Sequence, residues 1–182
     1  MRVVAGTARS LHLKTIEGND TRPTTDRIKE TLFNMLTGYI VDASFLDLFA
    51  GSGGIGIEAL SRGAADCTFV EQNAKAVACI KENLSFTKLA DRAKVQKYDA
   101  VGFVNGLQSI SYDVIFMDPP YSNGLERAVL ENLSNKRFDT DTLIVVEAAI
   151  DEDFSYLDNM GYDIIKDKRY KTNKHLFIRK KD

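Results

Sequence analysis

Apolar positions along the chain fall into two spacings. Short apolar runs at residues 45–49, 67–70, 93–98, 112–117 and 142–147 read as strands. Between them, apolar residues return every three to four positions, the spacing of a helix packed by one face. Residues 55–62 form one such helix, stopped at Gly63. Residues 73–84 form another, with Val77, Ile80 and Leu84 directed inward, and residues 125–133 a third. This alternation predicts a parallel sheet with helices on both faces. The last section breaks the rhythm. Residues 162–165 and 176–178 flank a polar stretch with no room for a crossover helix, so the sheet is expected to end in an antiparallel pair.

The first 20 residues follow neither spacing. Val3-Val4-Ala5 and Leu11-His12-Leu13 are short apolar runs separated by Gly6 and polar residues, which suggests a small hairpin. Thr21-Arg22-Pro23-Thr24-Thr25-Asp26 then announces a helix, with threonines able to cap and an aspartate for the first turn. Ile28, Leu32, Phe33 and Leu36 continue it as an amphipathic helix over residues 25–36. The expected organisation is a hairpin extension over residues 1–20 and an α/β domain over residues 21–182.

At 182 residues the chain is long enough for one packed domain. No run approaches eighteen apolar residues, and the start MRVVAGTARS lacks the apolar stretch of a signal peptide. Cys67 and Cys79 form no CxxC pair, and His12 and His175 lie far apart. No zinc site or disulfide framework is expected, which fits a cytoplasmic protein. The net charge of −2 hides an uneven distribution. Residues 1–30 carry six basic against four acidic side chains, and residues 166–182 carry eight against two. The middle holds ten basic against twenty acidic ones. A polyanion would be drawn to the two ends.

The candidate chemistry begins at Asp47-Leu48-Phe49-Ala50-Gly51-Ser52-Gly53-Gly54-Ile55-Gly56, which leaves a strand, turns on glycines and enters a helix. The spacing Gly51-x-Gly53-x-x-Gly56 matches a dinucleotide fingerprint, and Glu71 follows the next strand, where a carboxylate can accept both ribose hydroxyls of an adenosine cofactor. Two cofactor types remain. A nicotinamide cofactor would place a pyrophosphate at the helix start. S-adenosylmethionine has no phosphate and needs an anion for its ammonium group. Asp47 supplies that anion and would sit badly beside a pyrophosphate, which favours the methyl donor. Asp99 follows the third strand, where it either reaches the adenine or caps a helix starting at Ala100.

A second motif, Asp118-Pro119-Pro120-Tyr121, follows the strongest strand. Two prolines fix an extended loop beyond the strand's carboxyl end, where open α/β sheets bind ligands. The loop offers a carboxylate, a carbonyl and an aromatic ring. An exocyclic base amine is a poor nucleophile because its lone pair is delocalised into the ring. Hydrogen bonds to Asp118 and to the Pro119 carbonyl would orient it and stabilise its developing positive charge. Tyr121 can stack on the base.

With these residues in view, the chain resembles the RsmD family of bacterial methyltransferases. The marks are the start MRVVAG, the segment TRPTTDRIKETLFNML, the loop FLDLFAGSGGIGIEALSRGA, and VIFMDPPY. The resemblance covers nearly the whole chain. It departs at KRYK, where the family pattern has KRYG. It implies a Rossmann-like class I fold, with a seven-stranded mostly parallel sheet, the last strand antiparallel, and an N-terminal hairpin that helps hold RNA. It implies S-adenosylmethionine as cofactor, with transfer to guanine N2 in 16S ribosomal RNA of the guanine 966 type. Asp47, Phe49, Ala50, Gly51, Ser52, Gly53, Glu71, Gln72, Asp99 and Ala100 would line the cofactor site. Asp118, Pro119, Pro120 and Tyr121 would meet the base. Arg22, Thr24 and Thr25 would lie near the cofactor's methionine end or the substrate. The partner would be ribosomal RNA, free or in a small subunit, with a monomer as the default. Competing expectations are an adenine-N6 amino-methyltransferase on DNA or RNA, a nicotinamide-dependent oxidoreductase, and a non-catalytic RNA-binding module.

Overall fold

A computed structural model describes residues 1–16, 25–121, 123–139 and 141–181. The elements in chain order are α1 (Asp26–Met35), α2 (Thr37–Ile40), β1 (Ser44–Leu48), α3 (Gly54–Ser61), β2 (Asp66–Val70), α4 (Ala74–Thr87), β3 (Ala93–Gln96) and α5 (Ala100–Gly106). They continue with β4 (Ser109–Ile110), β5 (Val114–Met117), α6 (Leu125–Ser134), β6 (Arg137–Phe138), β7 (Leu143–Ala149), β8 (Tyr162–Arg169) and β9 (Asn173–Lys180). Among the described residues, seven strands form one sheet in the order β3-β2-β1-β5-β7-β9-β8. Every neighbouring pair is parallel except the two that involve β9. The order runs outward from β1 in one direction and resumes at β5 in the other. The carboxyl ends of β1 and β5 therefore flank the switch point where open sheets bind ligands.

Strand side chains alternate between two cores. Phe45, Val114, Phe116, Val145 and Phe177 pack on one face, against Leu32 and Phe33 of α1, Ile57 and Leu60 of α3, and Ile80 and Leu84 of α4. Leu46, Ile115, Met117, Ile144 and Val146 pack on the other, against Val104 of α5 and Val129, Leu130 and Leu133 of α6. Alternation carries Asp47 to the first face, with Phe45. The same parity carries Asp118 with Phe116, and Glu147 with Val145.

Every residue of α3 is buried, although a helix on a sheet face ordinarily keeps one side wet. Residues 1–13 cover that side. They double back on themselves, with an Arg2–His12 antiparallel bridge and Val3 N–H donating to the Leu11 carbonyl at 2.9 Å. Val4 and Ala5 then donate backbone N–H groups to the Glu58 carboxylate at 2.8 and 3.0 Å, and Ala8 donates to Ser61 Oγ at 2.9 Å. Glu58 also holds Lys29 Nζ at 3.3 Å and Arg62 Nε at 2.8 Å, so the buried carboxylate ties together α1, α3 and the N-terminal segment.

Several boundaries differ from the sequence reading. The first strand stops at Leu48, because Phe49 takes a left-handed backbone, φ 61°, that turns the chain into the glycine loop. The fourth helix runs on to Thr87 and ends at Lys88. The final strands are eight residues each, longer than their apolar stretches. β8 is an edge strand whose backbone pairs with β9 while most of its side chains face solvent, so apolar spacing understates it. The helices α2 and α5, and the short parallel pair β4–β6, carry too few apolar positions to stand out by spacing. Among the described residues, no helix is long and apolar enough to cross a membrane.

Candidate active site

The glycine loop bridges β1 and α3. Gly53 caps α3 with a left-handed backbone, φ 82°, which a glycine takes without strain. Gly56 serves a different need. A Cβ there would lie 2.3 Å from the Phe69 ring and 2.7 Å from Cys67 Sγ, so its missing side chain lets α3 settle onto β2. At Gly51 a Cβ would meet nothing within 4 Å, so the loop is open on that side. The loop is braced from two directions. Glu71, just past β2, accepts from Gly51 N at 2.9 Å and from Asn73 N at 2.8 Å. Asn83 of α4, almost fully buried, donates Nδ2 to the Ser52 carbonyl at 3.0 Å. Phe49, Gly51 and Ser52 are half-buried around this opening, Ala50 and Gly53 lie beneath it, and Gln72 is exposed beside Glu71.

Asp47 lies behind the loop and is 2 % exposed. Its Oδ2 accepts from Gly56 N at 2.9 Å. Burial pushes its carboxyl up to about 7, against the pull of that hydrogen bond and with the Glu71 charge adding to the rise. Asp118 follows β5 on the same face. The residue is half-buried, but its carboxyl group is enclosed, and burial holds it well above the usual carboxylate range. The charges of Glu147 and Asp47 raise it further, so the two aspartates share one electrostatic field. Pro119 is buried, Pro120 is exposed, and Tyr121 is 47 % exposed and not sealed in the core.

Sequence reasoning did not single out the groups beyond Asp118. Met117 pairs with Val146, which sets Asp118 level with Glu147 on the neighbouring strand. Glu147 in turn pairs with His175. The Glu147 carboxylate accepts from Asn173 Nδ2 at 2.7 Å and lies 3.0 Å from His175 Nε2. His175 Nδ1 lies 3.1 Å from the Tyr170 hydroxyl. Burial, with the Glu147 charge, pushes Tyr170 up to about 12, which keeps it a donor. The signal for Glu147 was present: it is the one charged residue closing the buried run TLIVVE, beside the strand that carries Asp118.

Other expected residues fall differently. Asp99 is exposed, and its Oδ1 accepts from Gly102 N at 2.7 Å, so it caps α5 with Ala100 buried behind it. Thr25 caps α1, accepting from Ile28 N at 3.3 Å. Arg22 and Thr24 lie outside the described residues.

The residues present suit S-adenosylmethionine. Asp47 and Asp118 have no cation of the protein beside them among the described residues, and this ligand brings an ammonium and a sulfonium. Glu71 stands across the open loop where a ribose diol can be accepted. A pyrophosphate would meet three carboxylates and, among the described residues, no basic side chain.

The sheet order, the reversed β9 and the switch-point loops define a Rossmann-like class I methyltransferase fold. Residues 1–179 match the family model described as Conserved hypothetical protein 95. Ribosomal RNA small subunit methyltransferase D of Escherichia coli (strain K12) is 38 % identical, over 83 % of this chain and 76 % of its own. YlbH of Bacillus subtilis (strain 168) is 41 % identical, over 81 % and 82 %. The solved structure of Escherichia coli yhhF superposes with a TM-score of 0.85 at 31 % identity, covering 100 % of this chain and 98 % of that one. The chain belongs to the RsmD family.

Proposed function

We propose that this protein transfers a methyl group from S-adenosylmethionine to the exocyclic N2 of a guanine in small-subunit ribosomal RNA, of the guanine 966 type. The observation that carries the reading is the pair of carboxyls at the switch point with no cation beside them among the described residues, Asp47 behind the glycine loop and Asp118 before two prolines. The named activity of the Escherichia coli relative supports ribosomal RNA as the substrate. Residues 1–20 are read as the extension that meets RNA, and residues 21–182 as the catalytic domain.

When bound, S-adenosylmethionine supplies an activated methyl group on a sulfonium centre. Asp47 holds the ligand's ammonium, and Glu71 its ribose. Asp118 and the Pro119 carbonyl accept hydrogen bonds from the guanine amine, turn its lone pair toward the methyl carbon and stabilise the positive charge that forms on nitrogen. Burial and the neighbouring charges make Asp118 a stronger base than an ordinary aspartate, suited to take the proton the amine sheds. Tyr121 packs against the base and holds it out of its stack.

The test is incubation with labelled methyl donor and unmodified small-subunit RNA or subunits. The parent should label one guanine at N2. Asp118→Asn should lower transfer by at least about 100-fold while leaving donor binding nearly intact. Label on adenine, or only on DNA, refutes the base assignment, and full turnover by Asp118→Asn refutes its role.

A further inference from the structure

The two basic ends of the sequence meet in space. A groove of about 340 Å³ runs between α1 and the β8–β9 turn. Thr25, Arg27 and Thr31 line one wall, and Lys168, Tyr170 and Lys171 the other. The walls come from segments more than a hundred residues apart, the same segments whose excess of basic residues stood out in the sequence. Arg27 and Lys171 are exposed, Lys168 is half-buried, and none of the three has an acidic partner among the described residues. Their neighbours differ: Arg2 pairs with Asp26, and Arg169 with Asp167. Thr25 Oγ1 accepts a backbone hydrogen bond, which leaves its hydroxyl hydrogen to donate. Tyr170 joins this groove to the active site, because its hydroxyl meets His175, which meets Glu147 at the level of Asp118.

We propose that this groove holds backbone phosphates of the RNA strand beside the target guanine. The claim rests on the RNA reading given above and adds the surface that grips the strand. Three cations without an acidic partner among the described residues, around a concave wall that also carries the Thr25 hydroxyl, match consecutive phosphodiesters. The position sets a strand leaving the Asp118 loop along α1. Lys168 and Lys171 would contact phosphate from the hairpin side, and Arg27 from the helix side. Such contacts position the nucleic acid without reading its sequence.

The experiment measures binding of small-subunit RNA across a salt series for the parent and for Arg27→Ala/Lys171→Ala. Each lost phosphate contact lowers the slope of log affinity against log salt by about 0.7 to 0.9, so the double variant should lose about 1.5. The KM for RNA in methyl transfer should rise about tenfold at moderate salt, with kcat and donor affinity retained. The charge-keeping pair Arg27→Lys/Lys171→Arg should restore the slope, which a structural role would not predict. Lys75→Ala/Lys81→Ala, exposed on α4, is the matched control and should leave the slope unchanged. An unchanged slope in the groove variant, or equal losses in the control, overturns the proposal. If the parent binds RNA with the expected slope change yet methylates none, the groove stands and the proposed reaction falls. If the parent binds no RNA, the groove proposal falls with it.

Discussion

Replacing Asp47 by Asn should make the ligand-free protein more stable while removing its grip on the methyl donor. The carboxyl is 2 % exposed, with one hydrogen bond from Gly56 N at 2.9 Å and no cation beside it among the described residues. Burial moves it from 3.8 to about 7. A carboxyl that holds its proton more tightly when folded makes stability fall as pH rises from the unfolded value to the folded one, and level off above. Each pH unit in that window is worth about 1.4 kcal/mol, so the ionised group costs up to about 4 kcal/mol above about pH 7. Asparagine is uncharged and keeps an oxygen for Gly56 N. Urea unfolding of ligand-free Asp47→Asn at about pH 8 should therefore show it more stable than the parent, by as much as about 4 kcal/mol. The gap should narrow steadily toward about pH 4. Calorimetric titration with S-adenosylmethionine should show the opposite ranking. A variant less stable than the parent at about pH 8, or a gap independent of pH, would refute the reasoning.

Two further outcomes follow from the buried charges. Glu58→Ala leaves Lys29 as an unpaired buried ammonium and removes the acceptor of Val4 and Ala5, so it should destabilise the fold by about 3 to 5 kcal/mol. Hydrogen exchange at Val4 and Ala5 should quicken in the same variant, and slow exchange there would contradict the bracing role of Glu58. Glu147→Gln removes a negative charge that raises Asp118, so Asp118 should ionise more easily. The rising limb of kcat/KM against pH should move to lower pH, and an unmoved limb would disconnect the two residues.

The strands that pack on both faces were legible because apolar side chains must fill both cores. Elements held mainly by their backbone were not. β8 reads as polar because it is the sheet edge, and α5 is a seven-residue helix with only two buried positions. Asp47, Glu71 and Asp118 stood out in the sequence as acids at the carboxyl ends of buried strands, Asp47 just before the glycine loop, Glu71 directly after β2 and Asp118 directly before two prolines. Asp99 carried the same signal, yet in the folded chain it caps a helix, and sequence spacing does not separate those two uses. Glu147, His175 and Tyr170 escaped because their meeting depends on register between β7 and β9 and on the turn before it, which no local pattern encodes.

That register also gathers three carboxyls at one end of the sheet. Asp47, Asp118 and Glu147 stand on adjacent strands, β1, β5 and β7, with side chains on one face of the sheet. The Glu147 carboxylate is positioned by Asn173 and His175. Asp118 lies between that carboxylate and Asp47, and both push its proton affinity upward. Two carboxyls that resist ionisation side by side are relieved by a cation placed between them. In the proposed reaction, a donor bearing an ammonium and a sulfonium would provide that relief, and Asp118 would then be free to act as the base. Donor affinity, read by calorimetric titration, should accordingly rise with pH as Asp47 ionises, and an affinity independent of pH would refute that role.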